Sequence, residues 1–215
     1  MHNKIIVENT KTRAQTILVE SEVRLSTLAR STGRDFLIAA AEGEINRTGN
    51  ANIYLINGPQ NKLQNKITFF QQGVQSMAFS NCGRFLLAAS IKEEGCFGIF
   101  DVHSGLVVEN GTVSLPAGTG LNKIVVNPSS DPSEVDFCTV GQNGHFQIWK
   151  YDPEQQDLLT IRPEMNHELQ STNFTCATFT PRLPAPYNGE IIMLGTSDGA
   201  VVAVNPNPRD QDYRN

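Results

Sequence analysis

Residues 135–152 read Val-Asp-Phe-Cys-Thr-Val-Gly-Gln-Asn-Gly-His-Phe-Gln-Ile-Trp-Lys-Tyr-Asp. The first half carries Val135, Phe137 and Thr139 at period two, the alternation of a half-buried strand. The second half carries Phe146, Ile148 and Tyr151, with Trp149 beside them. Asn143-Gly144 separates the halves. Both residues tolerate positive φ, which a type I′ turn requires and which suits the twist of the flanking strands. The stretch predicts a tight β-hairpin.

The same pattern returns near the end of the chain. Ile191-Ile192-Met193-Leu194 precedes Asp198-Gly199, and Ala200 to Val204 follows, at an offset of 55 residues from the first hairpin. That spacing suits repeated four-stranded units. A second match lies earlier. Ala29, Ser31, Phe36 and Ala39-Ala40 correspond to Ala78, Ser80, Phe85 and Ala88-Ala89 at an offset of 49. Strand, turn and strand recurring together predict a repeat.

Taken in order, the chain divides into a leading strand pair over 1–20 and repeat units over 21–72, 73–118, 119–170 and 171–208. The last unit lacks a fourth strand, because Pro206-Asn207-Pro208 and a charged tail follow its third. The expected class is all-β, built from about four antiparallel units. Phe36, Phe79, Phe85, Ala88, Ile99, Val125, Phe137, Ile148, Phe179, Ile192 and Val202 are expected to be buried between sheets.

Composition narrows the function classes. The chain has 215 residues, 39% hydrophobic and 18% charged, which are globular values. A formal net charge of −5 argues against a nucleic-acid partner, since phosphate binding needs clustered Lys and Arg. No apolar run reaches the roughly 20 residues that span a bilayer, so no membrane partner is expected. Ile5-Ile6-Val7 is too short for a signal h-region, and a cytoplasmic location is expected. Cys82, Cys96, Cys138 and Cys176 are far apart and form no Cys-x-x-Cys pair. Cys138 and Cys176 lie in strand-like runs and read as small core residues. Three Asn-x-Ser/Thr sequons, at Asn46, Asn110 and Asn173, read as coincidences of an Asn-rich chain.

A search for chemistry yields no catalytic, cofactor-binding or metal-ligating residue. Gly195-Thr196-Ser197-Asp198-Gly199 spells Gly-x-Ser-x-Gly, but a nucleophile elbow needs a strand, a sharp turn and then a helix. Here an apolar β-rich run follows. His2, His103, His145 and His167 are unpaired at metal-ligand spacing and read as surface imidazoles. Glu93-Glu94 and Asp131, Glu134 and Asp136 read as solvated loop carboxylates. The long connections from Glu42 to Asn50 and from Pro181 to Gly189 are either contact loops or tolerated insertions.

Ala78-Phe79-Ser80, Gly83-Arg84-Phe85-Leu86, Ile148-Trp149-Lys150 and Leu194-Gly195-Thr196-Ser197-Asp198-Gly199 together resemble the WD-repeat β-propeller family. That family's third strand ends in Trp-Asp. The corresponding pairs here are Ile56-Asn57, Phe100-Asp101, Trp149-Lys150 and Val204-Asn205, so half of the signature survives at most. The Gly-His dipeptide before the first strand is missing, which puts the polar network inside each blade in question. The order Gly73…Met77-Ala78-Phe79-Ser80, Gly141-Gln142-Asn143-Gly144…Ile148-Trp149 and Leu194 to Asp198-Gly199…Asn205-Pro206 is most similar to the cilia- and flagella-associated WD-repeat proteins. It matches the first half of their N-terminal propeller.

That resemblance implies a non-enzymatic structural scaffold of the ciliary or flagellar axoneme. Its partners would be tubulin, inside doublet microtubules, and other axonemal proteins. The alternative is a general cytosolic adaptor in another complex, such as a ubiquitin ligase or a trafficking assembly. WD-repeat propellers usually close with seven blades, and each blade buries its faces against its neighbours. The units are therefore expected to form an arc of a larger propeller, completed by a longer parent chain or by a partner; the alternative joins the leading strand to the last unit and closes a ring of four.

Overall fold

The computed structural model describes residues 3–31, 36–43, 50–60, 62–91, 95–113, 119–131, 133–161, 163, 165, 167–181 and 190–206. Their regular structure is strand, apart from one turn of 3-10 helix at His167–Ser171. The all-β expectation is met. The chain falls into two compact units, Met1–Val113 and Ser114–Asn215.

The first unit opens with a two-stranded sheet, β1 (Asn3–Glu8) against β2 (Gln15–Ser21). A four-stranded antiparallel sheet follows: β3 (Leu25–Arg30), β4 (Leu37–Glu42), β5 (Asn52–Asn57) and β6 (Lys62–Thr68). A second repeats the order with β7 (Val74–Phe79), β8 (Phe85–Ser90), β9 (Cys96–Asp101) and β10 (Val107–Thr112). In both, each strand pairs with the one before it, so the sheet is a meander. In the other unit, β11 (Leu121–Val126), β12 (Val135–Gly141), β13 (Phe146–Asp152) and β14 (Asp157–Ile161) form a third meander. The three-stranded sheet of β15 (Phe174–Phe179), β16 (Ile192–Thr196) and β17 (Val201–Val204) completes that unit.

Burial explains the composition of each strand. The second strand of each four-stranded sheet is covered on both faces, so it reads as a nearly continuous apolar run rather than an alternation. All six residues of β8 are buried, and its Ala88-Ala89 and the Ala39-Ala40-Ala41 of β4 let facing sheets approach closely. Between these sheets lies one core, which includes Leu37, Leu55, Phe70, Val74, Leu86 and Phe100. Phe69 meets Phe70 and Phe100 edge-on, with ring centres 5.0 and 5.4 Å apart. The other unit has its own core, with Cys138, Ile148, Phe174, Phe179, Ile192 and Leu194 at its centre. Outer strands such as β6 and β10 are mostly exposed.

Four register shifts recur at one place. The second residue of the first strand is left unpaired in every meander: Ser26 in β3, Gln75 in β7, Asn122 in β11 and Thr175 in β15. These are β-bulges, and every bulged residue is polar. Ser26 Oγ donates to the Val74 carbonyl at 2.8 Å, across to the first strand of the next sheet. Asn122 Nδ2 makes the same bond to the Phe174 carbonyl at 2.7 Å.

The core expectations need three corrections. Phe85 and Leu37, rather than Phe85 and Phe36, are equivalent: each stands opposite the last residue of the third strand, Asp101 and Asn57 respectively. The connection after Ser31 is one residue longer than that after Ser80, so the 49-residue offset becomes 48 in β4 and β8. A one-residue slip moves a side chain to the other face. Phe36 accordingly has φ 42° and is 51% exposed, beneath the Arg30 guanidinium. Val125 and Val202 are half-buried, because each packs against the edge of its core; on β11 it is Ile124 that is fully covered. Cys176 is exposed rather than in the core, since it follows the β15 bulge and its sulfur lies over Gly195 of β16.

Candidate interaction site

The two hairpins that organise the sequence prove to be different turns. At Asn143-Gly144 both residues have positive φ, 52° and 69°, and His145 N–H donates to the Gln142 carbonyl at 3.2 Å, as a type I′ turn requires. At Asp198-Gly199 only Gly199 is positive, at 88°, and its N–H donates to the Thr196 carbonyl at 3.3 Å. Gly195-Thr196-Ser197-Asp198-Gly199 thus forms the connection from β16 to β17, with strand on both sides. A nucleophile elbow is a different local structure.

Side chains with chemical capacity are committed to holding the sheets. Glu42, at the end of β4, is 3% exposed. Its Oε1 accepts Ser21 Oγ at 2.6 Å and Tyr54 Oη at 2.8 Å, while its Oε2 accepts the Asn52 backbone N–H at 2.9 Å and Asn52 Nδ2 at 2.8 Å. Burial pushes the carboxyl up, but the hydrogen bonds from Ser21, Tyr54 and Asn52 outweigh it and hold it below the ordinary glutamate range. Glu42 thereby ties β2 to the β3–β6 sheet. Sequence inspection placed it in a polar loop; only the buried Ser21, Tyr54 and Asn52 around it reveal its role.

A second network corrects the reading of His145 as a surface imidazole. His145 is buried, and its Nε2 lies 3.0 Å from Thr139 Oγ1. The same hydroxyl accepts the Trp149 indole N–H at 3.0 Å. The polar network that the missing Gly-His dipeptide put in question is therefore present in this sheet, with its imidazole supplied from the turn after β12. His103 is exposed, as expected. His2, the His167 side chain, Asn46, Glu93-Glu94, residues 44–49 of the first long connection and residues 182–189 of the second lie outside the described residues.

Asp136 departs from the expected solvated loop carboxylate, because it sits within β12, opposite Lys150. Its Oδ2 lies 3.6 Å from Lys150 Nζ, and its buried Oδ1 has no hydrogen-bond partner among the described residues. Burial raises its carboxyl, Lys150 opposes this, and the charges of Glu134 and Glu190 add to the rise. Asp131 and Glu134 are exposed.

The open site in the first unit is a cleft of about 800 Å³. Three connections shape it: Asn57 to Gln60 before β6, Cys82 to Arg84 before β8, and Asp101 to His103 after β9. Leu37, Leu63 and Val102 give it apolar surface. Asp101 fixes the last of these connections. Its Oδ1 accepts the His103 and Ser104 backbone N–H groups at 3.1 and 2.9 Å and Ser104 Oγ at 3.1 Å, and its Oδ2 lies 3.3 Å from Arg84 Nε. Burial raises this carboxyl, but the bonds from Ser104, Arg84 and His103 hold it below the usual range. Asn65 Nδ2 donates to the Val102 and His103 carbonyls, both at 3.2 Å, and so anchors the turn to β6.

No family model matches the chain, and no curated protein matches it. Among solved structures it is similar to the β-propeller domain of Cps50 (Swd1) from Myceliophteria thermophila, with a TM-score of 0.63 at 12% identity. The match covers 96% of this chain and 55% of that one. The sheets are propeller blades. The meander order, the repeated bulge in each innermost strand and the buried second strands are the blade architecture built from local parts. The chain spans about half the length of the solved domain it matches. In blade terms, the cleft opens between two adjacent blades of the first unit, where connections into the second and fourth strands gather. Register also supports the third-strand alignment: Asn57, Asp101 and Lys150 stand opposite Leu37, Phe85 and Asp136.

Proposed function

We propose that this chain is a non-enzymatic structural scaffold whose blades present surfaces to protein partners. The observation that carries this reading is the commitment of Glu42, Asp101, Thr139, His145 and Trp149 to bonds within the blades, beside an open cleft between two of them. A propeller fold alone does not imply a function, so the site must carry the weight.

The specific version is a component of the ciliary or flagellar axoneme, in contact with tubulin of the doublet microtubule. Its support is the likeness of the Gly73 to Asn205 motif order to the cilia- and flagella-associated WD-repeat proteins. Further blades, from a longer parent chain or from a partner, complete the propeller. The two-stranded β1–β2 sheet, the three-stranded β15–β17 sheet and the 55% coverage of the solved domain support that completion. Fractionation of salt-washed axonemes tests the assignment. The chain is expected to remain with the doublets, and recovery solely in a soluble complex would overturn the axonemal version.

A further inference from the structure

We infer that the cleft between β6 and the connections before β8 and after β9 binds an acidic segment of a partner protein that also carries aliphatic side chains. This rests on the interaction-scaffold reading and names the chemistry of its ligand.

Charge gives the sign. Lys62 makes no ion pair among the described residues, and Arg84 pairs with Asp101 through Nε alone while its side chain stays 64% exposed. The Asp101 carboxylate is filled by the turn it caps. Lys62 therefore acts outward, and the exposed part of Arg84, whose guanidinium lies over the Phe85 ring at 4.8 Å, adds to it, on a chain whose formal net charge is −5. An acidic segment is attracted to these cations, while the net negative charge of the chain discourages its non-specific binding.

Apolar surface gives the second requirement. Leu63 stands exposed at the cleft beside the covered Leu37 and Val102. Aliphatic groups next to cations suit Leu- or Val-type residues among carboxylates. A nucleic-acid strand calls instead for a longer basic track and for aromatic side chains on which bases stack.

The test uses the full chain and a short fluorescent peptide of Glu, Leu and Gly, its Lys-for-Glu counterpart, and an oligo-dT strand. The Glu peptide should raise anisotropy, more weakly as salt is added. Lys62→Glu with Arg84→Glu should weaken it by about tenfold, the scale of two exposed ion pairs turned from attractive to repulsive. Lys62→Arg should bind as the unaltered chain does. Cys82 lines the cleft and is exposed, while Cys176 is exposed in the other unit. In the unaltered chain, bound peptide should therefore slow alkylation of Cys82 and leave Cys176 unchanged. Equal or better binding of the Lys peptide or of oligo-dT would overturn the inference, as would an unprotected Cys82 or full binding by the double reversal. Loss of the axoneme association would leave these readouts untouched, so the two readings fail separately.

Discussion

The Ser26 hydroxyl donates to the Val74 carbonyl at 2.8 Å, joining the bulge of one innermost strand to the start of the next. Asn122 and Phe174 repeat the relationship in the other unit. A bulge ordinarily leaves its extra residue without a ladder partner, and here a polar side chain turns that residue into a tie between blades. Ser26→Ala and Asn122→Ala should each lower stability by about 0.5–1.5 kcal/mol in denaturant unfolding. Thr175→Ala, at the exposed bulge of β15, should stay within about 0.5 kcal/mol. An equal effect at all three sites would contradict the inter-blade role.

Phe85 and Phe36 should respond differently to truncation. Phe85 is almost fully covered, and Phe85→Ala should cost about 3–5 kcal/mol. Phe36 is half exposed, so Phe36→Ala should change stability by no more than about 0.5 kcal/mol. Leu37→Ala, at the position equivalent to Phe85, should cost about 2–5 kcal/mol. Thermal or chemical denaturation of the three variants checks the one-residue slip directly.

The glycines of the two hairpins should separate as well. Both have positive φ, so a β-branched side chain at either is strained. A Cβ on Gly144 would clash with the Gln170 backbone carbonyl, whereas one on Gly199 would meet nothing within 4 Å. Gly144→Val should therefore be more destabilising than Gly199→Val by at least about 1 kcal/mol. Equal melting temperatures would argue against the close approach of the first turn to the 3-10 segment.

Glu42 and Asp136 should give pH dependences of opposite sign. The folded carboxyl of Glu42 lies below its unfolded value, so its stabilisation is present above the ordinary glutamate range and is lost on acidification through and below about pH 4. Glu42→Gln should remove that acid-dependent loss and lower stability at neutral pH. The folded carboxyl of Asp136 lies above its unfolded value, so it opposes folding at neutral pH and that opposition fades as pH falls through its raised value. Asp136→Asn should keep or raise neutral-pH stability, because the 3.6 Å pair it loses reaches an exposed Lys150 ammonium and is outweighed by the burial of the carboxylate. Unfolding curves across the acid range would refute this if both variants shifted stability in the same direction.

What the sequence by itself determined was local. Period-two alternation, Asn143-Gly144 and the recurrence of Ala-x-Ser before an apolar run marked strands, a turn and a repeat, because each depends on neighbours only a few residues away. Of the residues on which the cleft is built, Asn57 and Asp101 were legible as the ends of third strands and Gly83 as part of a motif, without any sign that they converge. Tertiary structure alone decided the rest. An extra residue before β4 turned Phe36 outward, and donors from β2 and β5 made Glu42 a buried anchor. The Thr139 hydroxyl drew His145 inside. Each outcome depends on which strands lie opposite one another, and register is set by summed burial across sheets rather than by any single stretch of chain.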